Sequence, residues 1–339
     1  MGGPYLLADI GGTHARFAIE RDGKQGAFAV LRCAEYASIG DAIEAYLAQP
    51  AAQECGADQV RRIGIAIANP IDGDLVAMTN HHWRFTISGL RRQLKLQDLV
   101  VVNDFEALAV ALPYLHPHEK TRIGGDEPKP GGSIAVLGAG TGLGVSGLIP
   151  TTQGWTALQT EGGHVSFAPA DRIELQVLQF AWSEHAHVSA ERLLSGMGLE
   201  LIYRALYWLE HGSEATPALA APEILARGLH GDCAVCDRTL DVFCRMLGTI
   251  AANLALTLGS KGGVYIGGGI VPRLGARFAT SGFRTRFEQH GRFSEYLARI
   301  PVFVINTDSA ALTGVSVVLS RGDAPRPATV SDCEQVQLA

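Results

Sequence analysis

One local design opens two widely separated stretches of the chain. The apolar run "LLADI" ends in Gly11-Gly12-Thr13 and returns as "ARFAIE"; "SIAVLGA" ends in Gly140-Thr141-Gly142 and returns as "LGVSGLIP". A strand, a loop of small residues and a second strand, met twice, suggest an internal duplication. At 339 residues and 47% hydrophobic content the chain suits a globular protein of two lobes, each with its own core.

Between these stretches, strands and helices alternate. "PYLLADI", "ARFAIE" and "GAFAVLR" read as three consecutive strands joined by glycine turns, and "SIGDAIEAYLAQ" reads as a helix. A buried strand "RIGIAIA" follows, then a Pro-Ile-Asp-Gly turn at 70–73, the strand "DLVAMT", and "DLVVVND" running into the helical "FEALAVALPYL". The pattern is α/β throughout. Residues 116–132, "HPHEKTRIGGDEPKPGG", are polar and rich in glycine and proline, which places a lobe boundary close to residue 112. Residues 171–258 read as largely helical, with "LDVFCRMLGTIAANLALTLG" apolar on most of its turns and therefore buried. "GGVYIGGGIVPRL" gives a strand, three glycines and a helix start, and "PVFVINTDSAALTGVSVVL" a last strand and helix. The tail from Arg321 is polar.

Composition excludes some classes of partner. A net charge of −6 gives no basic footprint for nucleic acid. No window approaches the roughly 18 apolar residues expected of a membrane span. Met1-Gly2-Gly3-Pro4 leads straight into a strand-like run without the features of a leader, so a cytoplasmic protein is expected. The six cysteines are scattered, and the lone Cys233-x-x-Cys236 lacks a second pair of ligands, so reduced thiols near a helix start are expected there. His81-His82, His116/His118 and His185/His187 come without a carboxylate at ligand spacing and read as surface or packing histidines.

Three glycine loops follow strands, at 11–13, 138–144 and 267–269. Small residues there let backbone N–H groups approach phosphate oxygens, although tight turns also use glycine. Three such loops fit a nucleotide with several phosphates. A Walker loop is excluded because Gly23-Lys24 is followed by Gln25. A dinucleotide fingerprint fails because Leu143 stands where its third glycine belongs.

Carboxylates supply the remaining chemistry. Asn103-Asp104 closes a strand at the carboxyl edge, where α/β sheets place ligands, and Asp104 fits either a helix cap or a general base for phosphoryl transfer. "TEGGHVSF" presents Glu161 and His164 around two glycines. "VSAERLLSG" presents Glu191 at a helix start, where a capping box from Ser189 would also explain it. Carboxylates and an imidazole suit vicinal sugar hydroxyls, each of which donates and accepts.

"ADIGGTHARF", "IAIANPIDGDLVAMTNHHW", "VVNDFEALA", "LGAGTGLG", "TEGGHVSFAP", "VSAERLLSG" and "IGGGIVPR" together resemble, in order and over roughly residues 5–320, the bacterial ATP-dependent glucokinase family. The resemblance implies an α/β, two-lobed ribonuclease-H-like fold of the actin-like ATPase superfamily, with an interdomain cleft. It also implies that the chain returns near residue 301. The domains would be 1–112 plus 301–320 and 113–300, followed by the tail 321–339. Asp104 would take the proton from the sugar 6-hydroxyl, and Asn103, Glu161, His164 and Glu191 would hold the other hydroxyls. Ala8, Asp9, Ile10, Gly11, Gly12 and Thr13 would form the first phosphate loop, with Asp9 directed at magnesium through water. Gly140, Thr141 and Gly142 would form the second, and Gly268 and Gly269 would back the adenosine. ATP and Mg2+ are the implied cofactors, and a homodimer is the implied assembly. His14 departs from the asparagine commonest at its position, which leaves nucleotide affinity open.

The expected reaction moves the γ-phosphoryl group of ATP to O6 of glucose. A kinase for mannose or fructose would share nearly every motif, and a sugar-independent actin-like ATPase would need only the phosphate loops. A sugar-responsive repressor would carry a helix-turn-helix ahead of the first loop, and Asp9 stands too near the start to leave room for one.

Overall fold

The computed structural model describes residues 3–78, 81–152, 154–212 and 217–321. Its thirteen described strands are β1 (Tyr5–Ile10), β2 (His14–Arg21), β3 (Lys24–Arg32), β4 (Arg62–Ile67), β5 (Leu75–Ala77), β6 (Arg84–Thr86), β7 (Asp98–Asn103), β8 (Lys120–Arg122), β9 (Ile134–Ala139), β10 (Leu143–Thr151), β11 (Gly154–Ala157), β12 (Gly263–Gly267) and β13 (Val302–Ile305).

Two compact units divide the chain. One comprises residues up to Pro113 together with the segment from Ser309, and the other runs from Tyr114 to Asp308. The first is built on the sheet β3-β2-β1-β4-β7, the second on β11-β10-β9-β12-β13-β8. In each, an antiparallel meander of three strands leads into two further strands laid parallel to the first. The duplication suggested by the two glycine-threonine loops therefore extends to the strand order, with Gly11–Thr13 and Gly140–Gly142 at equivalent hairpins.

The alternation read from the sequence survives as burial. In β2, Ala15, Phe17 and Ile19 face the first core beside Leu6, Ala8 and Ile10 of β1. Leu7 and Ala18 face the other side, where Leu312, Val315 and Leu319 of the helix Ala310–Arg321 cover them. Burial on both faces explains the unbroken apolar run of β1. Gly64 of β4 is required by this helix, since a Cβ there would lie 2.3 Å from Val315 Cγ1.

Three expectations need correction. The chain does not rejoin the first unit at 301: β13 pairs in parallel with β12 and antiparallel with β8, and the return comes at Ser309. The polar stretch 116–132 is not wholly a linker, because Lys120–Arg122 is an edge strand on β13. The helix Ala234–Leu258 is long and apolar enough to cross a membrane by length and composition, and it is mostly buried in the second core. The tail 322–339 lies outside the described residues.

Candidate active site

In the first unit, β1, β4 and β7 run in parallel with Ile10, Ile67 and Asn103 in register. Asp9, near the end of β1, and Asp104, just past the end of β7, therefore share one edge of one sheet, on strands about 10 Å apart with β4 between them. The carboxylate of Asp9 is mostly buried and accepts from Arg16 Nη1 at 3.3 Å. The hairpin register places Arg16 directly opposite Asp9. That pairing was readable from the tight turn between the strands, and the sequence reading missed it.

The loop after β1 closes through its own backbone: Gly11 N–H donates to the His14 carbonyl at 2.9 Å, and Cys33 N–H donates to the Thr13 carbonyl at 2.9 Å. His14 is exposed, and this closure uses no part of its side chain. A Cβ on Gly11 would meet only the His14 carbonyl oxygen, at an ordinary 3.5 Å.

At the end of β7 the roles of two neighbours are distinct. Asn103 is the N-cap of the helix Asp104–Ala111; its Oδ1 accepts the amides of Phe105 at 2.9 Å and Glu106 at 3.2 Å. Its Nδ2 donates to the Asn69 carbonyl at 3.4 Å. Asp104 is the first helical residue, with Oδ1 2.9 Å from the Phe105 amide. The helix cap, one of the two readings open for Asp104, thus belongs to Asn103.

In the second unit, β9 and β12 are parallel neighbours with Gly138 and Gly267 in register, so Gly140–Gly142 and Gly268–Gly269 leave the same edge. Gly268 has φ +78, and a Cβ on it would stand 2.4 Å from the Ala139 carbonyl oxygen, so packing alone demands glycine. Gly140 and Gly269 differ: a Cβ on Gly140 would meet only the Gly269 amide at 3.9 Å, and one on Gly269 would meet nothing. Close approach of something outside the chain fits glycine at these two positions. The Gly140 amide is turned into its own loop, 2.8 Å from the Gly142 carbonyl, and the Gly140 carbonyl accepts from Gly196 N–H at 2.9 Å.

Glu161 precedes and His164 ends the turn Gly162–His164, which packs on β10. A Cβ on Gly162 would be 2.8 Å from Val145 Cγ1, and one on Gly163 would be 2.0 Å from the Leu143 carbonyl oxygen. These glycines bring the turn against the strand. His164 lies between two carboxylates, with Nε2 3.8 Å from Glu161 Oε2 and Nδ1 3.9 Å from Glu191 Oε1. The side chains of Glu161 and His164 are 60% and 58% exposed, open to a ligand, whereas that of Glu191 is 28% exposed.

The capping box offered for Glu191 does not form. Ser189 caps the short helix Ala190–Leu193 by accepting from the Arg192 amide. Glu191 instead turns to β10, where Oε2 accepts from the Leu143 amide at 2.8 Å.

Cys233 caps the helix Ala234–Leu258, its Sγ accepting from the Cys236 amide at 3.4 Å. Burial pushes the Cys236 thiol up to about 12. Among the described residues no group of three or more His, Cys, Asp or Glu stands ready to hold a metal.

The family model described as "Glucokinase" matches residues 6–322. The glucokinase of Chromobacterium violaceum is 50% identical over 331 residues, covering 97% of this chain and 93% of that one. The crystal structure of a glucokinase from an Antarctic psychrotroph superposes with a TM-score of 0.83 at 35% identity, covering 95% of this chain and all of the other. A ROK-family glucokinase from Streptomyces griseus, in complex with glucose and AMPPNP, has the same fold at a TM-score of 0.64 and 20% identity, covering 94% of this chain and 100% of that one. The α/β actin-like class expected from the sequence is the one these proteins share.

Proposed function

The chain belongs to the glucokinase family, and from that premise we propose that it moves the γ-phosphoryl group of ATP to O6 of glucose, yielding glucose 6-phosphate and ADP. The observation that carries the residue assignment is the position of Asp104. It sits at the carboxyl end of β7, on the edge it shares with Asp9, while Asn103 supplies the cap that Asp104 would otherwise provide.

Asp104 accepts the 6-hydroxyl proton as O6 attacks the γ-phosphorus in line; the O6–P bond forms, and the bond to the β,γ-bridging oxygen breaks with its electron pair leaving on ADP. The remaining hydroxyls are met by Asn103 through Nδ2, and by Glu161, His164 and Glu191. The carboxylates accept, and the imidazole donates or accepts according to its tautomer. A misplaced hydroxyl leaves one of these groups unpaired, which is the source of discrimination between epimers.

Ala8 to Thr13 and Gly140 to Gly142 hold the phosphates. Because the Gly11 and Gly140 amides already donate within their loops, the donors to phosphate are Gly12, Thr13, Thr141 and Gly142. Gly268 and Gly269 back the adenosine, a reading supported by the open space in front of Gly269. Asp9 would hold a hydrated magnesium ion, and the ion would supply neutralisation of the phosphate charge. The Streptomyces relative's complex with glucose and AMPPNP supports this pairing of substrates. A cytoplasmic homodimer completes the proposal, and sedimentation of the purified protein tests the dimer.

The direct test is Asp104→Ala. Turnover should fall by about two or more orders of magnitude, with glucose binding, measured by titration calorimetry, changed far less. Equal losses in both would remove Asp104 from the role of base.

A further inference from the structure

Glu191 touches two parts of the second unit that the proposed reaction uses separately. One carboxylate oxygen faces His164 at 3.9 Å, and the other accepts the Leu143 amide at 2.8 Å. Leu143 is the first residue of β10 and directly follows Gly140–Gly142. The carboxylate lies so near this loop that a Cβ on Gly142 would stand 2.4 Å from Oε2. A side chain at 142 would therefore displace the Glu191 carboxylate. The same residue Leu143 supports the Glu161–His164 turn through its carbonyl, against which Gly163 packs.

We propose that Glu191 is a positioning residue for the second phosphate loop, fixing Gly140–Gly142 for nucleotide even when no sugar is bound. A carboxylate accepting a backbone amide makes a charge-assisted hydrogen bond, stronger than a neutral one. Here it holds the C-terminal stem of the loop, while the Gly196 amide holds the Gly140 carbonyl on the other side. Glu191 joins the two ligands physically: a sugar hydroxyl that engages the oxygen facing His164 acts on the group that anchors the phosphate loop. Binding of each substrate then alters the affinity for the other by the same factor. This inference rests on the glucokinase reading for its ligands.

The test is the affinity of the purified full chain for MgADP without sugar, measured by titration calorimetry for the wild type, Glu191→Ala and Glu191→Gln. Loss of the acceptor in Glu191→Ala should weaken MgADP binding about tenfold. Glu191→Gln keeps a neutral carbonyl acceptor for the Leu143 amide and should lose clearly less than Glu191→Ala, about threefold, which is the share due to the charge. Gly142→Ala supplies the converse. Its Cβ displaces the flexible end of Glu191 and leaves the backbone in place, so the KM for glucose should rise although Gly142 is not assigned to sugar. In the Glu191→Ala background the same substitution should add little to that KM. Unchanged MgADP affinity in Glu191→Ala, or an equal loss in Glu191→Gln, overturns the positioning role. Wild-type protein that releases ADP without regard to sugar would overturn the glucokinase reading instead.

Discussion

Asn103 caps the helix that Asp104 begins. The Oδ1 of Asn103 accepts the Phe105 and Glu106 amides at 2.9 and 3.2 Å, which fixes the backbone of the first turn and with it the direction in which Asp104 leaves the sheet. Asn103→Ala should cost about 1 kcal/mol of stability, as lost caps do, and should lower kcat by misplacing Asp104. Asn103→Asp keeps an acceptor for both amides, so it should restore the melting temperature but not the glucose KM, since the Nδ2 donor is gone. A melting temperature unmoved by Asn103→Ala would mean that the cap does not hold this turn.

The glycines of the site fall into two groups that substitution should separate. In Gly163→Ala the new methyl would lie 2.0 Å from the Leu143 carbonyl oxygen, so backbone must move. A loss of about 1–3 kcal/mol, typical of overpacking, is expected together with a raised glucose KM. Gly140→Ala has its nearest neighbour at 3.9 Å and should leave the melting temperature unchanged while raising the KM for ATP. Thermal melts and the two KM values decide this; equal thermal losses would contradict it.

Asp9 and Arg16 form an ion pair at 3.3 Å across the first hairpin. If Asp9 orients hydrated magnesium, Asp9→Asn should lower kcat by at least about tenfold and raise the magnesium concentration needed for half-maximal rate. The glucose affinity should change much less. Arg16→Ala should have a smaller effect in the same direction. A magnesium dependence identical to the wild type in Asp9→Asn would remove this role.

A partly buried ionic network should make the stability of the second unit sensitive to acid. Arg286 donates to Glu174 Oε1 at 2.5 Å and to Asp171 Oδ2 at 2.6 Å, and Arg245 pairs with Asp171 and Asp241. Burial pushes the Asp171 carboxyl up, but the Glu174 amide and Arg286 outweigh it and hold it below the usual range. Its folded value is thus below its unfolded value of about 4, and its contribution, present above that pH, is lost as pH falls through the folded value. Burial pushes Glu174 the other way, upward, against the Ala170 amide and Arg286. Arg286→Ala should cost about 3–5 kcal/mol at neutral pH because it leaves a buried carboxylate uncompensated. The deficit should shrink between neutral and mildly acid pH, since the variant's folded state takes up a proton on the buried Glu174 more readily than the wild type's does. Urea melts at the two pH values test the sign; a deficit that grows on acidification would contradict it.

What was legible in the sequence followed from local chemistry. The first three strands and β4 and β7 carry runs rich in apolar residues, and the structure places strands where those runs predict them. Contacts distant in sequence were not legible. Lys120–Arg122 is a strand only because β13 lies beside it. The apolar run of β13 announces a strand without saying which sheet it joins. Asn103 and Asp104 are both good caps, and only the position of the first turn decides between them. Glu191 at a helix start looks like half of a capping box, yet its partner is an amide 48 residues earlier, and no local pattern encodes that pairing.

The central claim, sugar-dependent phosphoryl transfer, is tested most directly by measuring ADP release from MgATP with no sugar and then with glucose, mannose, fructose and N-acetylglucosamine in turn. Release should depend on sugar and be fastest with glucose. Release with another hexose alone would contradict the assigned substrate, and release at one rate regardless of sugar would contradict the reaction itself.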